Sequence, residues 1–134
     1  QHAEITCNPS LSVATDNEGL QVISACCSGA EVKVDEIKYL QSNKVFLLSL
    51  NRTKVETDEK DKKVTSICKF EFVDRVKSKN IKQNDPEEKL ELIGMDYLKN
   101  NDNYEINLMF TNNAYITLST EIIEVTLDDQ NKAD

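Results

Sequence analysis

The sequence has very few of the residues on which common catalytic and cofactor sites depend. It contains three glycines and one histidine, His2. A loop that holds phosphates needs closely spaced glycines, and neither the GxxxxGK[ST] nor the GxGxxG pattern is present. A lone histidine excludes the usual Ser-His-Asp and Cys-His arrangements and the usual imidazole metal sites. We therefore predict no cofactor, no metal site and no assigned catalytic residue.

Long apolar runs and an excess of positive charge are also missing. The longest apolar run is Val45-Phe46-Leu47-Leu48, whereas a membrane helix needs about 20 apolar residues. No stretch near the N-terminus has the pattern of a signal peptide. With 24 Asp and Glu against 16 Lys and Arg, the net charge is −8, and nucleic acid and anionic membranes select basic surfaces. We predict a cytoplasmic protein that binds neither.

Cysteine is present, but not in a recognisable site. The four cysteines are Cys7, Cys26, Cys27 and Cys68, without a CxxC motif and at too low a density for a disulfide scaffold. Cys26 and Cys27 fall at the end of a predicted helix, where the helix dipole does not activate a thiol. We interpret the cysteines as reduced thiols that serve packing.

A chain of 134 residues is the usual size of one domain. We predict a flexible arm over residues 1–14, one β-rich domain over 15–129 and a polar tail over 130–134. Thr15 and Glu18 form a capping-box pattern that predicts a helix of about 12 residues, and Gly29 supplies its C-terminal stop.

Beyond residue 31 apolar residues recur at every second position, which is typical of strands with one buried and one solvent-exposed face. Seven segments follow this pattern, and Asn112-Asn113 is suited to a tight hairpin turn because asparagine tolerates positive φ. Sequential hairpins indicate antiparallel pairing. The predicted fold class is α+β and predominantly antiparallel β: one N-terminal helix packed on a curled sheet or small barrel of about seven strands. The last segment, residues 121–127, is compatible with a strand or a short helix.

Five polar residues are the candidate binding site: Asn51, Arg52, Glu56, Glu121 and Glu124. Arginine and carboxylates form strong paired hydrogen bonds. The preferred interpretation of the same residues is a structural ion-pair network in which Arg52 satisfies a carboxylate at a sheet edge, and ligand binding is the alternative.

Three functions are compatible with these observations. The first is a non-enzymatic binding or scaffold module that receives a protein partner at a sheet edge. The second is a carboxylate-based hydrolase or small-molecule-binding enzyme, which requires two or more of Asp35, Glu56, Glu121, Glu124 and Asp128 to converge in a concave pocket. The third is a secreted effector or surface antigen. The oligomeric state is left open.

Several short motifs occur together in a characteristic order. They are Val22-Ile23-Ser24-Ala25, Val32-Lys33-Val34-Asp35, Asn51-Arg52 with Glu56, Phe70-Glu71-Phe72-Val73, Leu108-Met109-Phe110, and Glu121 with Ile123-Glu124. In order and spacing, the chain resembles an uncharacterised alphaproteobacterial family, the domain of unknown function twenty-nine forty-eight. The resemblance spans roughly residues 18–129, and it implies a bacterial, intracellular source rather than a mechanism.

Overall fold

The computed structural model describes residues 11–55, 61–81 and 88–129. It contains one helix, α1 (Asn17–Cys27), and two single 3-10 turns, Val34–Glu36 and Gln41–Asn43. The strands are β1 (Leu11–Ala14), β2 (Glu31–Lys33), β3 (Ile37–Leu40), β4 (Val45–Val55), β5 (Asp61–Phe70), β6 (Val73–Lys79), β7 (Lys89–Asn100), β8 (Asn103–Phe110), β9 (Tyr115–Thr120) and β10 (Val125–Asp129).

The strands form one antiparallel sheet that remains open. Neighbouring strands follow the order β1-β10-β5-β4-β2-β7-β8-β9-β6, and β3 pairs with β4 beside β2. The predicted mostly antiparallel sheet with one helix is confirmed. The barrel alternative is wrong, because among the described residues the two ends of the path, β1 and β6, pair only with β10 and β9.

The structure has ten strands rather than about seven, for three local reasons. The 3-10 turn Val34–Glu36 divides the first predicted strand into β2 and β3. Phe72 adopts a φ of 60° and divides the next long alternation into β5 and β6. Leu11–Ala14 pairs with β10 and adds a strand ahead of the helix. Residues 121–124 are neither strand nor helix, so the last segment forms a strand only from Val125.

The predicted helix is confirmed, with a cap one residue later than expected. The Asp16 carboxylate accepts a hydrogen bond from the Gly19 backbone N–H at 2.8 Å, which satisfies one of the free donors of the first turn. After the C-cap Ser28, Gly29 has a φ of 86° and ends the helix as predicted. In the described part of the chain, no helix is long and apolar enough to cross a membrane.

Asparagines make the tight turns of this glycine-poor chain. Asn112 and Asn113 have φ values of 66° and 58° and join β8 to β9, as predicted. Asn101 has a φ of 58° in the turn between β7 and β8. Asparagine visits the left-handed region more readily than other non-glycine residues, so these turns need no glycine.

The core lies between the curled sheet and α1. Ser24 on the helix accepts a buried hydrogen bond from the Met95 backbone N–H at 2.8 Å. Cys27 and Cys68 are buried free thiols in contact with each other, as expected for packing residues. Cys26 is disulfide-bonded, so the prediction that every cysteine is a thiol is wrong at that position.

Candidate functional site

The sheet register decides which of the predicted site residues can meet. Asn51 lies in β4 opposite Thr65, whose hydroxyl donates a hydrogen bond to the Asn51 side-chain oxygen at 3.1 Å. Arg52 is the next residue of β4 and pairs with Val64. The side chain of Arg52 and the whole of Glu56 lie outside the described residues.

Glu121 and Glu124 lie in one segment, just beyond the Phe70 end of β5. The Glu124 carbonyl accepts a hydrogen bond from the Glu71 backbone N–H at 3.0 Å. Glu71 is six residues along the chain from Thr65, the partner of Asn51. Six residues of strand span about 20 Å. The structure therefore brings Glu121 and Glu124 beyond the Phe70 end of β5 and leaves Asn51 within β4, about 20 Å away along the sheet.

Asn51 borders a polar recess of about 360 Å³. Glu31 of β2 also lines this recess. It is in register with Asn51 of β4 on one side and with Glu91 of β7 on the other. The Lys89 ammonium lies 3.8 Å from the Glu31 carboxylate. Both side chains are about half exposed, so water screens this ion pair.

Glu121 and Glu124 belong to a group of three loops that we call the loop end, residues 40–44, 71–74 and 121–124. One loop is tied to the next by the Val73 backbone N–H, which donates to the Lys44 carbonyl at 2.8 Å. The Lys44 ammonium lies 3.0 Å from the Asp74 carboxylate. Hydrogen bonding and charge from Asp74 raise the pKa of Lys44 above its ordinary value, with a smaller contribution from the charge of Glu121.

An opening with a mainly apolar lining lies between β3 and β6, and we call it the β3–β6 cleft. The Tyr39 hydroxyl joins the two strands by donating a hydrogen bond to the Val73 carbonyl at 2.8 Å. Beside this contact is a cavity of about 290 Å³, lined by Val34, Asp35, Ile37, Tyr39, Phe46, Val76, Ser78, Ile81 and Ile116. The two strands are therefore close but not paired along the cavity.

Both edges of the cleft carry lysines on the face turned away from the cavity. Ile37 and Tyr39 line the cavity, and the exposed Lys38 lies between them in β3. In β6 the exposed Lys77 lies between the lining residues Val76 and Ser78. Successive residues of a strand point to opposite faces. The cleft is thus lined mainly by apolar side chains, with Asp35 and Ser78 among them, and it carries positive charge along its outer margins.

The carboxylates named for the enzyme hypothesis occupy different places. Asp35 lines the β3–β6 cleft, Asp128 lies in β10 opposite Ile67, and Glu121 and Glu124 belong to the loop end. Within residues 11–55, 61–81 and 88–129, no three His, Cys, Asp or Glu side chains form a group that could hold a metal ion.

Sequence reasoning did not identify the cleft residues. Tyr39 and Val76 belong to ordinary alternating patterns, which predict strands but not which strand edges face each other. A signal was present in the lysines of β3 and β6, because lysine is common on unpaired edge strands.

Comparison with known proteins adds one relationship. No curated protein and no solved structure matches the chain. One family model matches residues 11–134, which include all of the described elements. The chain therefore belongs to the family described as Protein of unknown function (DUF2948).

Proposed function

We propose that this protein is a non-enzymatic binding module that holds an extended segment of a partner protein in the β3–β6 cleft. We also place it in the cytoplasm of an alphaproteobacterium, without a nucleic acid partner. The observation that carries the binding role is the pair of facing strand edges beside an apolar cavity of about 290 Å³.

The backbone of the two strands supports strand addition. In the described residues, β3 pairs only with β4 and β6 only with β9, so each presents a second edge. An extended peptide can form main-chain hydrogen bonds with such an edge, while a neighbouring pocket selects alternate side chains.

The size of the cavity favours a side chain over a separate small molecule. Pockets that enclose drug-sized ligands measure about 300–1,000 Å³, so this cavity lies at the small end. An apolar side chain of the added strand would fill it next to Val76 and Ile116.

The lysines along the margins of the cleft indicate which charge the added strand would carry. When one side chain of an extended segment points into the cavity, its neighbours point outward, toward Lys38 and Lys77. Acidic residues at the outward positions would complement these ammonium groups. The proposed ligand is therefore an extended segment in which apolar and acidic residues alternate.

Titration with a synthetic peptide of alternating valine and glutamate tests this proposal. We expect saturable binding that weakens with added salt, together with slower hydrogen exchange of amides in β3 and β6. Ser78→Trp would occupy the cavity and abolish binding. Lys99→Trp, a substitution of an exposed residue outside the cleft, serves as its matched control.

Charge reversal in the peptide provides the second comparison. A peptide of alternating valine and lysine should not bind, and the variant Lys38→Gln/Lys77→Gln should weaken binding of the glutamate peptide more than Lys89→Gln/Lys99→Gln does. Equal binding of both peptides, or protection of β1 instead of β3 and β6, would rule the cleft out as the binding site.

A further inference from the structure

The loop end combines three features that occur together nowhere else in the described residues: exposed apolar side chains, unpaired carboxylates and left-handed backbone at residues that disfavour it. Each feature is independent of the β3–β6 cleft and of the binding role proposed for that cleft.

The apolar side chains come one from each loop. Leu40 is 44% exposed, Phe72 39% and Ile122 47%. Phe72 lies between Glu71, which is hydrogen-bonded to Glu124, and Val73, which is hydrogen-bonded to Lys44. The backbone contacts therefore hold the three loops side by side and keep these apolar residues at one end of the molecule.

The loop end also contains backbone conformations that are unusual for the residues that adopt them. Six non-glycine residues of the described chain have positive φ, and four of them are asparagines. The two others, Lys44 at 58° and Phe72 at 60°, lie in hydrogen-bonded neighbouring loops. A bulky aromatic residue rarely adopts this conformation, and such backbone is concentrated at functional positions.

The charge of the loop end is mostly negative. Its carboxylates are Glu71, Asp74, Glu121 and Glu124, against the single ammonium of Lys44. Asp74 is paired with Lys44, and Glu71 with Lys69 at 3.1 Å. Glu121 and Glu124 form no ion pair with any described residue. They leave negative charge available beside the apolar side chains.

We propose that the loop end is a second docking surface, which binds a segment of a partner protein carrying apolar side chains flanked by lysine or arginine. Phe72 and Ile122 would contact the apolar side chains, and Glu121 and Glu124 would pair with the basic groups. Complementary charge sets the class of partner, because a segment with the protein's own acidic character would be repelled.

The test uses a fluorescent amphipathic peptide of leucine and lysine and a matched peptide of leucine and glutamate. We expect the lysine peptide alone to bind, with an affinity that falls as salt increases. Phe72→Asn should weaken binding about tenfold or more, while asparagine preserves the left-handed backbone. Ile93→Asn removes an apolar side chain that is more exposed than Phe72, 55% against 39%, and that lies in the β7 bulge outside the loop end; it should leave binding unchanged.

Charge variants separate docking from general attraction to an acidic protein. Glu121→Gln/Glu124→Gln should weaken binding and flatten its salt dependence, whereas Glu18→Gln/Glu91→Gln should not. Ser78→Trp should leave this binding intact, so failure of the cleft proposal remains distinguishable. Equal loss in both glutamate variants, binding of the glutamate peptide, or a dimer in sedimentation that Phe72→Asn dissolves would overturn the proposal.

Discussion

At the scale of single residues, this chain uses asparagine where many proteins use glycine. Asn80, Asn101, Asn112 and Asn113 all have φ values between 58° and 66°, whereas Gly29 is the one glycine with positive φ. The left-handed conformation brings Cβ close to the backbone, and a short polar side chain reduces this cost by local hydrogen bonding. The turns are therefore specific to asparagine or glycine.

We expect Asn112→Ala to lower the free energy of unfolding by about 1 kcal/mol, because alanine adopts positive φ at greater cost. Asn112→Gly should stay within a few tenths of a kcal/mol of the parent, since glycine adopts this conformation freely. Urea denaturation of the three proteins measures the difference. Equal losses in both variants would show that a side-chain contact of Asn112, rather than its backbone conformation, matters.

At the scale of secondary-structure elements, α1 is attached to β7 where that strand bends. β7 has an irregularity between Leu92 and Gly94 in its pairing with β8, just after its pairing with β2 ends at Glu91. The Ser24 hydroxyl accepts from the Met95 N–H just beyond this bend. A β-bulge leaves part of the ladder unpaired, and the helix supplies a partner there.

We expect Ser24→Ala to lower the free energy of unfolding by about 1–3 kcal/mol, because it leaves a buried backbone donor unsatisfied. Ser28→Ala is the matched control. The Ser28 hydroxyl donates to the Ile93 carbonyl at 3.1 Å in an exposed position, where water can replace it, so its removal should cost less than about 1 kcal/mol. Chemical denaturation of both variants checks the order, and a reversed order would exclude this role for Ser24.

Elements were predictable where their signals are local. The stop of α1 at Gly29 was predicted from the sequence, and its start was predicted one residue early, at Thr15 rather than at the observed cap Asp16. The break between β5 and β6 was not predictable. It occurs at Phe72, in an unbroken alternation with no glycine, proline or asparagine to mark it. Only contacts of the folded sheet hold an aromatic residue in that conformation.

At the scale of the whole molecule, sheet register determines the candidate site, and single residues do not encode register. Glu121 and Glu124 could be selected as candidates from the sequence. Their neighbours Lys44 and Phe72 could not, because these residues lie about 50 or more positions away in the chain and are brought close only by the pairing of the strands beside them. Asn51 was grouped with the glutamates, but its pairing with Thr65 places it about 20 Å along the sheet.

One buried thiol in the core, that of Cys68, makes the free energy of unfolding depend on pH in the alkaline range. A hydrogen bond with Cys27, together with burial, raises the pKa of Cys68 well above its ordinary value of 9.0. The folded state therefore keeps this proton at a pH where the unfolded chain has lost it. The stabilisation is fully present below the unfolded pKa and is lost as pH rises through the folded pKa.

We expect the free energy of unfolding to fall between about pH 8 and pH 10, and to fall less steeply in Cys68→Ala, which no longer has the thiol. The measurement is urea denaturation across this range. Lys99→Gln, which removes an exposed titratable group, serves as the control and should keep the parent slope. A Cys68→Ala slope equal to that of the parent would contradict a contribution from Cys68.

The pairing of β1 with β10 has a consequence for synthesis on the ribosome. Among the described strands β1 is the first along the chain, and its partner β10, which also completes the pairing of β5, is the last. Translation at about 5–20 residues per second separates the two strands by on the order of ten seconds. During that interval β1 and one edge of β5 lack their native strand partner, and unpaired strand edges favour association with other chains.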